Sequence, residues 1–193
     1  MTIIGGMYLN FDTIIIEKFV SIEEIGIYRS GINMILASTI ILSIINNVAL
    51  PTISSLRTKQ LILKTATKYN VRTIILGALI ALFFILFKKQ IIIILFGEKF
   101  LILLSYSYYI MGILFLRYLG SIYGLLLTIS DKQTVRVVCV ALTLLIIVIL
   151  DYFLIPTMKL EGAFLSMLIG HVFLVALYMI FTFKEYNSIM LKI

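Results

Sequence analysis

Arg117 is the residue of this sequence whose chemistry most needs an explanation, because it lies near the middle of twenty apolar residues, 110–129. Twenty such residues span a bilayer core as a helix. An arginine at that depth costs about 2.5–3.5 kcal/mol on insertion scales, so it marks a functional or structural site. A guanidinium group binds carboxylates and phosphates through paired hydrogen bonds. We therefore expect Arg117 to meet an anion.

The helical period places further small and polar residues on the side of Arg117. Ile110 and Ile113 interrupt this side, so it is continuous only from Arg117 onward. A helix of this kind could turn one side toward a wet or protein-lined interior and the other toward lipid. The residues on this side are Tyr106, Arg117, Ser121, Gly124 and Thr128, with Gly120 beside them.

A second arginine begins a partly polar row in the apolar segment 29–50. Arg29, Asn33, Ser43 and Asn47 align at helical spacing, with Thr39 and Asn46 on the flank of that side. Two interpretations of this row remain open. The polar groups line a cavity, or they form ordinary hydrogen bonds between membrane helices while Arg29 reaches to the interface.

The composition predicts an all-α integral membrane protein. Hydrophobic residues make up 62% of the 193 residues and charged residues 13%, against about 25% charged in soluble domains. The net charge of +7 comes from basic residues between apolar runs, which argues against nucleic-acid binding. The one cysteine, Cys139, excludes a disulfide framework. We find no catalytic pair, metal cluster or nucleotide motif, and predict no enzyme activity, no metal and no cofactor.

Hydropathy and turn residues divide the chain into six predicted spans that form a single lobe, 1–193. An amphipathic basic linker, 52–72, suits an anionic membrane surface, because Lys64, Lys68 and Arg72 share a face. The chain has two prolines. Pro51 closes the span 29–50, and Pro156 begins the turn between the last two spans. The predicted spans are 1–16, 29–50, 72–90, 101–129, 134–155 and 162–183.

Two details of the last spans carry structural expectations. Span 134–155 is uniformly apolar and is predicted to face lipid. Gly162, Ser166 and Gly170 are spaced by four, a pattern that lets helix backbones approach closely. The only histidine, His171, lies beside this seam and is interpreted first as a hydrogen-bonded packing residue and second as a proton carrier.

The basic residues also predict an orientation in the membrane. Nine lie in the linker, the 130–136 turn and the tail, and five lie in the opposite set of loops. The excess of positive charge predicts that the first set and the C-terminus are cytoplasmic.

Four short motifs, at 12–31, 51–54, 96–100 and 154–163, together resemble those of a known family, the O-antigen and polysaccharide flippases of the MOP exporter superfamily. The segment 12–31, DTIIIEKFVSIEEIGIYRSG, resembles the start of their second half. PTIS at 51–54 resembles a family P-x-I-S motif, and FGEKF at 96–100 an F-G-x-x-F/Y motif. LIP at 154–156 with EGA at 161–163 resembles the turn L-I-P-x-x-G-x-x-G-A, although Lys159 stands where the first glycine is usual.

This resemblance implies a location in the inner (plasma) membrane of a bacterial cell, a fold and a function. The fold is six transmembrane helices that form one lobe of a MOP-type (MATE-like) transporter, with a first span that is cut short. The function is translocation of undecaprenyl-diphosphate-linked oligosaccharide, as O-antigen or capsule repeat units, by a flippase or its C-terminal half. The expected partners are the lipid-linked oligosaccharide, membrane lipids and a missing N-terminal six-helix half. Alternatives are another exporter of the superfamily and a truncated, non-transporting remnant or accessory subunit.

The candidate substrate-binding residues follow from these arguments. Family members keep a cationic cavity between two lobes, and the resemblance assigns the two arginines to it. A competing interpretation pairs Arg117 with Asp12 inside the lobe, because charges within a membrane usually pair. The candidate cavity residues are Arg29, Asn33, Asn47, Arg117, Ser121 and Asp12.

Overall fold

The computed structural model describes residues 16–190, with side chains for 16–186. These residues form five long helices and one short 3₁₀ turn, Glu98–Phe100. All five helices are long and apolar enough to cross a membrane. The predicted all-helical membrane fold is therefore confirmed for the described residues. The predicted span 1–16 and its Asp12 lie outside them. The helices are α1 Ile22–Ser54, α2 Lys59–Phe96, α3 Leu103–Ile129, α4 Gln133–Met158 and α5 Leu160–Met190.

Helix α3 is the centre of the lobe. It contacts α1, α2 and α5 extensively, and 61% of its most apolar 18-residue window is buried, the largest share among the five helices. Its buried residues include Ile110, Ile113, Tyr118 and Ile122. The stretch with the unusual arginine is thus the stretch around which the other helices assemble.

Helix α2 corrects the predicted boundaries. The sequence suggested a linker, 52–72, and a separate span, 72–90, but one helix of 38 residues runs from Lys59 to Phe96. No proline occurs in this range, and its first glycine, Gly77, fits closely against Tyr118 of α3, so nothing interrupts the helix. At about 1.5 Å per residue it is about 57 Å long, longer than the roughly 30 Å bilayer core. Its basic face stays exposed, at Lys64, Lys68 and Arg72.

The two helices that contain prolines also continue further than predicted. Pro51 lies inside α1, which continues to Ser54, and the backbone N–H of Ser55 donates to the Pro51 carbonyl at 3.1 Å. Pro156 lies inside α4, which continues to Met158. Each proline lacks the backbone N–H that would donate to the carbonyl four residues earlier, so each helix loses one hydrogen bond in its last turn.

A single residue therefore makes the turn between α4 and α5. Lys159 has φ 51° and ψ −129°. A positive φ is unfavourable for a residue with a Cβ and is easy for glycine. Lys159 therefore occupies a backbone conformation that glycine would adopt more easily.

Helices α4 and α5 pack through the predicted small-residue seam. A Cβ added at Gly162 would lie 2.6 Å from the Leu154 carbonyl oxygen, and one added at Gly170 would overlap the Ile147 side chain. The close approach predicted for this seam is confirmed. The rest of α4 is largely exposed, as predicted for a helix that faces lipid.

Contacts at the two ends of the bundle fix how the helices alternate. Lys59 at the start of α2 forms an ion pair of 3.2 Å with Glu185 near the end of α5. At the opposite end, the Tyr109 hydroxyl of α3 donates to Glu161 of α5 at 2.8 Å. The beginnings of α2 and α4 therefore lie at the same end of the lobe as the ends of α1, α3 and α5.

Candidate functional site

Arg117 lies one residue from the midpoint of α3 and is half-buried. It is about 18 Å from the C-terminal end of the helix at about 1.5 Å per residue. The guanidinium therefore belongs at the centre of the bilayer, where a charge needs polar partners. Arg117 Nη1 lies 3.4 Å from His171 Nε2 of α5.

His171 is almost completely buried between α3 and α5. Its ring is 2% exposed, and its Nδ1 lies 2.9 Å from the Met167 carbonyl oxygen one turn earlier in α5. A carbonyl oxygen only accepts hydrogen bonds, so Nδ1 carries the proton that joins them. In the neutral ring, Nε2 is then the acceptor that faces the Arg117 guanidinium.

A row of glycines on α3 brings α5 close enough for this contact. A Cβ added at Gly120 would lie 2.8 Å from Val175 Cγ2, and one at Gly124 would lie 2.9 Å from the Tyr178 ring. Gly112 meets Leu168 at 2.8 Å in the same way. The absence of side chains at these positions lets the two backbones approach, as small residues do between membrane helices.

Ser121, one turn after Arg117, faces α1 instead. Its hydroxyl donates to Asn46 Oδ1 at 2.8 Å. The neighbouring Tyr118 hydroxyl donates to the Ser38 carbonyl of α1 at 2.7 Å. These bonds satisfy polar groups between two helices, a role that applies to Asn46 on the flank of the polar row of α1 and not to the row itself.

The other candidates lie on one exposed face of α1. The side chains of Arg29, Asn33 and Asn47 are all exposed, and Ser43 between them is exposed as well. Large apolar residues share this face, among them Ile40 at 62% and Ile44 at 59% exposure. The structure thus separates the six candidates. Arg117 and Ser121 are engaged inside the lobe, three residues lie on the outer face of α1, and Asp12 falls outside the described residues.

Two buried polar contacts were not foreseen as pairs. Asp151, near the end of α4, is completely buried and accepts a hydrogen bond from the Ser166 hydroxyl of α5. The sequence signalled each residue separately, Asp151 as a charge close to an apolar run and Ser166 as part of the small-residue seam. Likewise, it singled out both Arg117 and His171 without joining them.

A separate cleft lies between α2, α3 and α5, toward the end of the lobe where α2 begins. Its volume is about 340 Å³, and most of its lining is apolar. Asn70 Nδ2 donates to the Tyr123 hydroxyl at 3.3 Å at its wall. None of the predicted site residues lines this cleft.

Comparison with known proteins adds a family assignment. Neither the curated proteins nor the solved structures contain a match to the chain. A family model described as polysaccharide biosynthesis protein matches residues 1–105, which is more than half of the 193 residues. With five helices of membrane-spanning length and composition, the chain is a multi-pass membrane protein that belongs to the polysaccharide biosynthesis protein family.

Proposed function

We propose that this chain is one lobe of a flippase that moves an undecaprenyl-diphosphate-linked oligosaccharide across the bacterial inner membrane. The observation that carries the proposal is Arg117, a cation at the midpoint of the central membrane helix in a protein of polysaccharide biosynthesis. The diphosphate of such a carrier is an anion of the geometry that guanidinium groups bind best. The role is transport rather than catalysis.

The exposed face of α1 supports a second part of the proposal, a partner lobe. Asn33 lies five residues, or about 8 Å, from the midpoint of α1, within the depth of the bilayer core. An exposed amide at that depth, facing lipid, would lack hydrogen-bond partners at a cost of several kcal/mol. We infer that Arg29, Asn33 and Asn47 face a cavity shared with an N-terminal half.

The orientation that we propose places the beginning of α2 and the C-terminus in the cytoplasm. The basic face of α2 and Lys59 then lie at an anionic membrane surface. A reporter that works only in the cytoplasm should be active when fused after the last residue. Activity of a periplasmic reporter at that position would contradict this orientation.

The function is tested in a strain that lacks its flippase and therefore lacks surface polysaccharide. We expect the 193-residue chain alone to restore none, and the chain together with an N-terminal six-helix half to restore it at least in part. Full rescue by the chain alone would contradict the half-transporter proposal.

In the rescued strain, we expect Arg117→Gln to lower flipping at unchanged protein abundance, and Arg117→Lys to recover only part of it. The alternative pairing with Asp12 predicts a different result. Arg117→Gln would then lower abundance, and Asp12→Asn in the same chain would restore it by removing the orphaned charge. Normal flipping by Arg117→Gln at normal abundance would contradict both interpretations.

A further inference from the structure

The contact between Arg117 and His171 shows a division of roles that the sequence did not reveal. Arg117 is half-buried, whereas the His171 ring is 2% exposed. A ring enclosed to this extent is out of reach of a large lipid-linked substrate. His171 can therefore act on a bound anion only through the guanidinium that it touches.

The hydrogen bond to Met167 fixes the state of the ring. Since Nδ1–H donates to the Met167 carbonyl at 2.9 Å, the lone pair of the neutral ring is at Nε2. That lone pair points to Arg117 Nη1, 3.4 Å away. A protonated ring would instead place a second cation beside the guanidinium, so this geometry suits the neutral tautomer alone.

An acceptor at one nitrogen restricts the direction of the whole guanidinium, because the group is planar and its five N–H donors form a rigid fork. Three close contacts of α3 glycines with α5, at Gly112, Gly120 and Gly124, hold His171 at this distance. A neutral acceptor does this without cancelling the positive charge. A carboxylate in the same place would neutralise the charge and compete with an anionic ligand.

We propose that His171 is a positioning residue for Arg117: its neutral Nε2 accepts a hydrogen bond from Nη1 and orients the guanidinium toward the diphosphate of the carrier. The last step rests on the proposed function, whereas the tautomer and the contact do not.

The first experiment uses the fact that His171 is the only histidine of the chain. Nitrogen-15 histidine labelling of the full chain, purified without a histidine tag and placed in lipid bilayers, gives one imidazole in the solid-state NMR spectrum. At pH 7 we expect a neutral ring with Nδ1 protonated and Nε2 unprotonated. A charged ring, or a ring protonated at Nε2, would overturn the proposal.

Substitution of the arginine provides the second reading of the same spectrum. Arg117→Leu should move the Nε2 resonance toward that of an acceptor without a donor. The matched control is Arg136→Leu, because Arg136 of α4 also donates to α3, to Thr128 Oγ1 at 2.9 Å, but does not touch the ring. If Arg117→Leu fails to accumulate, Arg117→Met, which also lacks an N–H donor, is measured in its place. An Nε2 resonance that does not move on substitution of Arg117 would overturn the contact.

The third reading is flipping in the strain that also makes the N-terminal half. His171→Leu removes the acceptor and should lower flipping roughly tenfold at equal abundance, as expected for loss of a hydrogen bond to a charged group. His171→Gln keeps an acceptor oxygen and should retain most of the activity. Equal activity of the two variants would overturn the positioning role.

These readings separate failure of this inference from failure of the proposed function. If Arg117→Gln leaves flipping unchanged, the role of Arg117 in transport is wrong, and the proposed positioning for a diphosphate falls with it. The tautomer and its response to Arg117 then still report whether the contact exists. If Arg117→Gln abolishes flipping and His171→Leu does not, the proposed function stands and the positioning role of His171 is wrong.

Discussion

The α3–α5 interface and the outer face of α1 both carry an arginine and small polar residues, but they treat these groups in opposite ways. Between α3 and α5, polar atoms meet partners across glycine contacts, as Arg117 meets His171 and Thr182 meets the Tyr123 carbonyl. On the outer face of α1, Arg29, Asn33 and Asn47 point away from the lobe. Polar side chains of the interface have partners on the facing helix, whereas the α1 face needs something outside the described residues to meet its polar groups.

The comparison distinguishes polar groups that stabilise the lobe from polar groups that transport would use. Groups satisfied inside the lobe contribute to holding five helices together, and their removal leaves buried donors or acceptors without partners. Exposed groups on α1 contribute little to the lobe itself, so a stability argument does not explain why they are polar. A shared cavity does, because water or an anionic substrate would then meet them.

The largest effect is expected from a substitution that disrupts the α3–α5 interface directly. Gly120→Leu would force a side chain into Val175, whose Cγ2 lies 2.8 Å from the position of an added Cβ. We expect the free energy of unfolding to fall by about 3 kcal/mol, as for overpacking in a tight interior. The amount of folded protein in the membrane should fall strongly as well.

The matched control is Ala37→Leu on α1, which places the same side chain at an exposed position. Its abundance should stay within the error of the unsubstituted chain. Protein levels by immunoblot and resistance to unfolding in detergent measure both variants. Equal tolerance of the two substitutions would mean that the α3–α5 contact does not hold the lobe together.

How far the sequence predicts this molecule depends on whether a feature belongs to one helix or to two. The residue pattern along one helix correctly indicated the seam at Gly162, Ser166 and Gly170 and, through uniform apolarity, a helix α4 that is largely exposed. It marked the segment of Arg117 as central for the same reason, since polarity within an apolar helix is visible in one dimension.

Features that depend on which helix lies alongside could not be predicted from the sequence. The pairs Arg117–His171 and Asp151–Ser166 join different helices, and no spacing rule states which helix faces which. The predicted boundary between the linker and the span that together form α2 was wrong for another reason. The change from basic to apolar residues near Arg72 was interpreted as the end of a linker, but a change in polarity does not interrupt helical hydrogen bonds.

The next prediction tests whether the outer face of α1 contacts water or lipid. Ile40 of α1 and Leu145 of α4 lie near the midpoints of their helices and are 62% and 59% exposed. In a Cys139→Ala background, a cysteine is introduced at each position in chains that assemble with the N-terminal half. A water-soluble maleimide should label Ile40→Cys about tenfold faster than Leu145→Cys, because thiols form the reactive thiolate poorly in lipid.

The labelling rates in intact membranes decide between two environments for α1. Faster reaction at Ile40→Cys indicates a wet face, as the shared cavity requires. Equal, slow rates at both positions would show that the polar row of α1 lies in lipid and would remove the main support for a partner lobe.

The smallest effect concerns a residue that belongs to the lobe alone, Lys159 in the turn between α4 and α5. Its φ of 51° lies in the region that side chains with a Cβ avoid. Lys159→Gly removes this strain, although glycine loses more conformational freedom on folding. Because ψ of −129° lies outside the ordinary left-handed well, the strain should outweigh the entropy. We expect a gain of about 1 kcal/mol in the free energy of unfolding.

Denaturation in detergent measures this gain, and Lys159→Ala is its control, since alanine removes the same amine but keeps the Cβ. Alanine should leave stability nearly unchanged, which would assign the gain to the backbone rather than to charge. The gain should be the same with and without the N-terminal half, because Lys159 lies in the turn that joins two helices of the lobe. A stabilisation that appears only when both halves are present would place this turn at the contact between lobes and would contradict the division between the two regions.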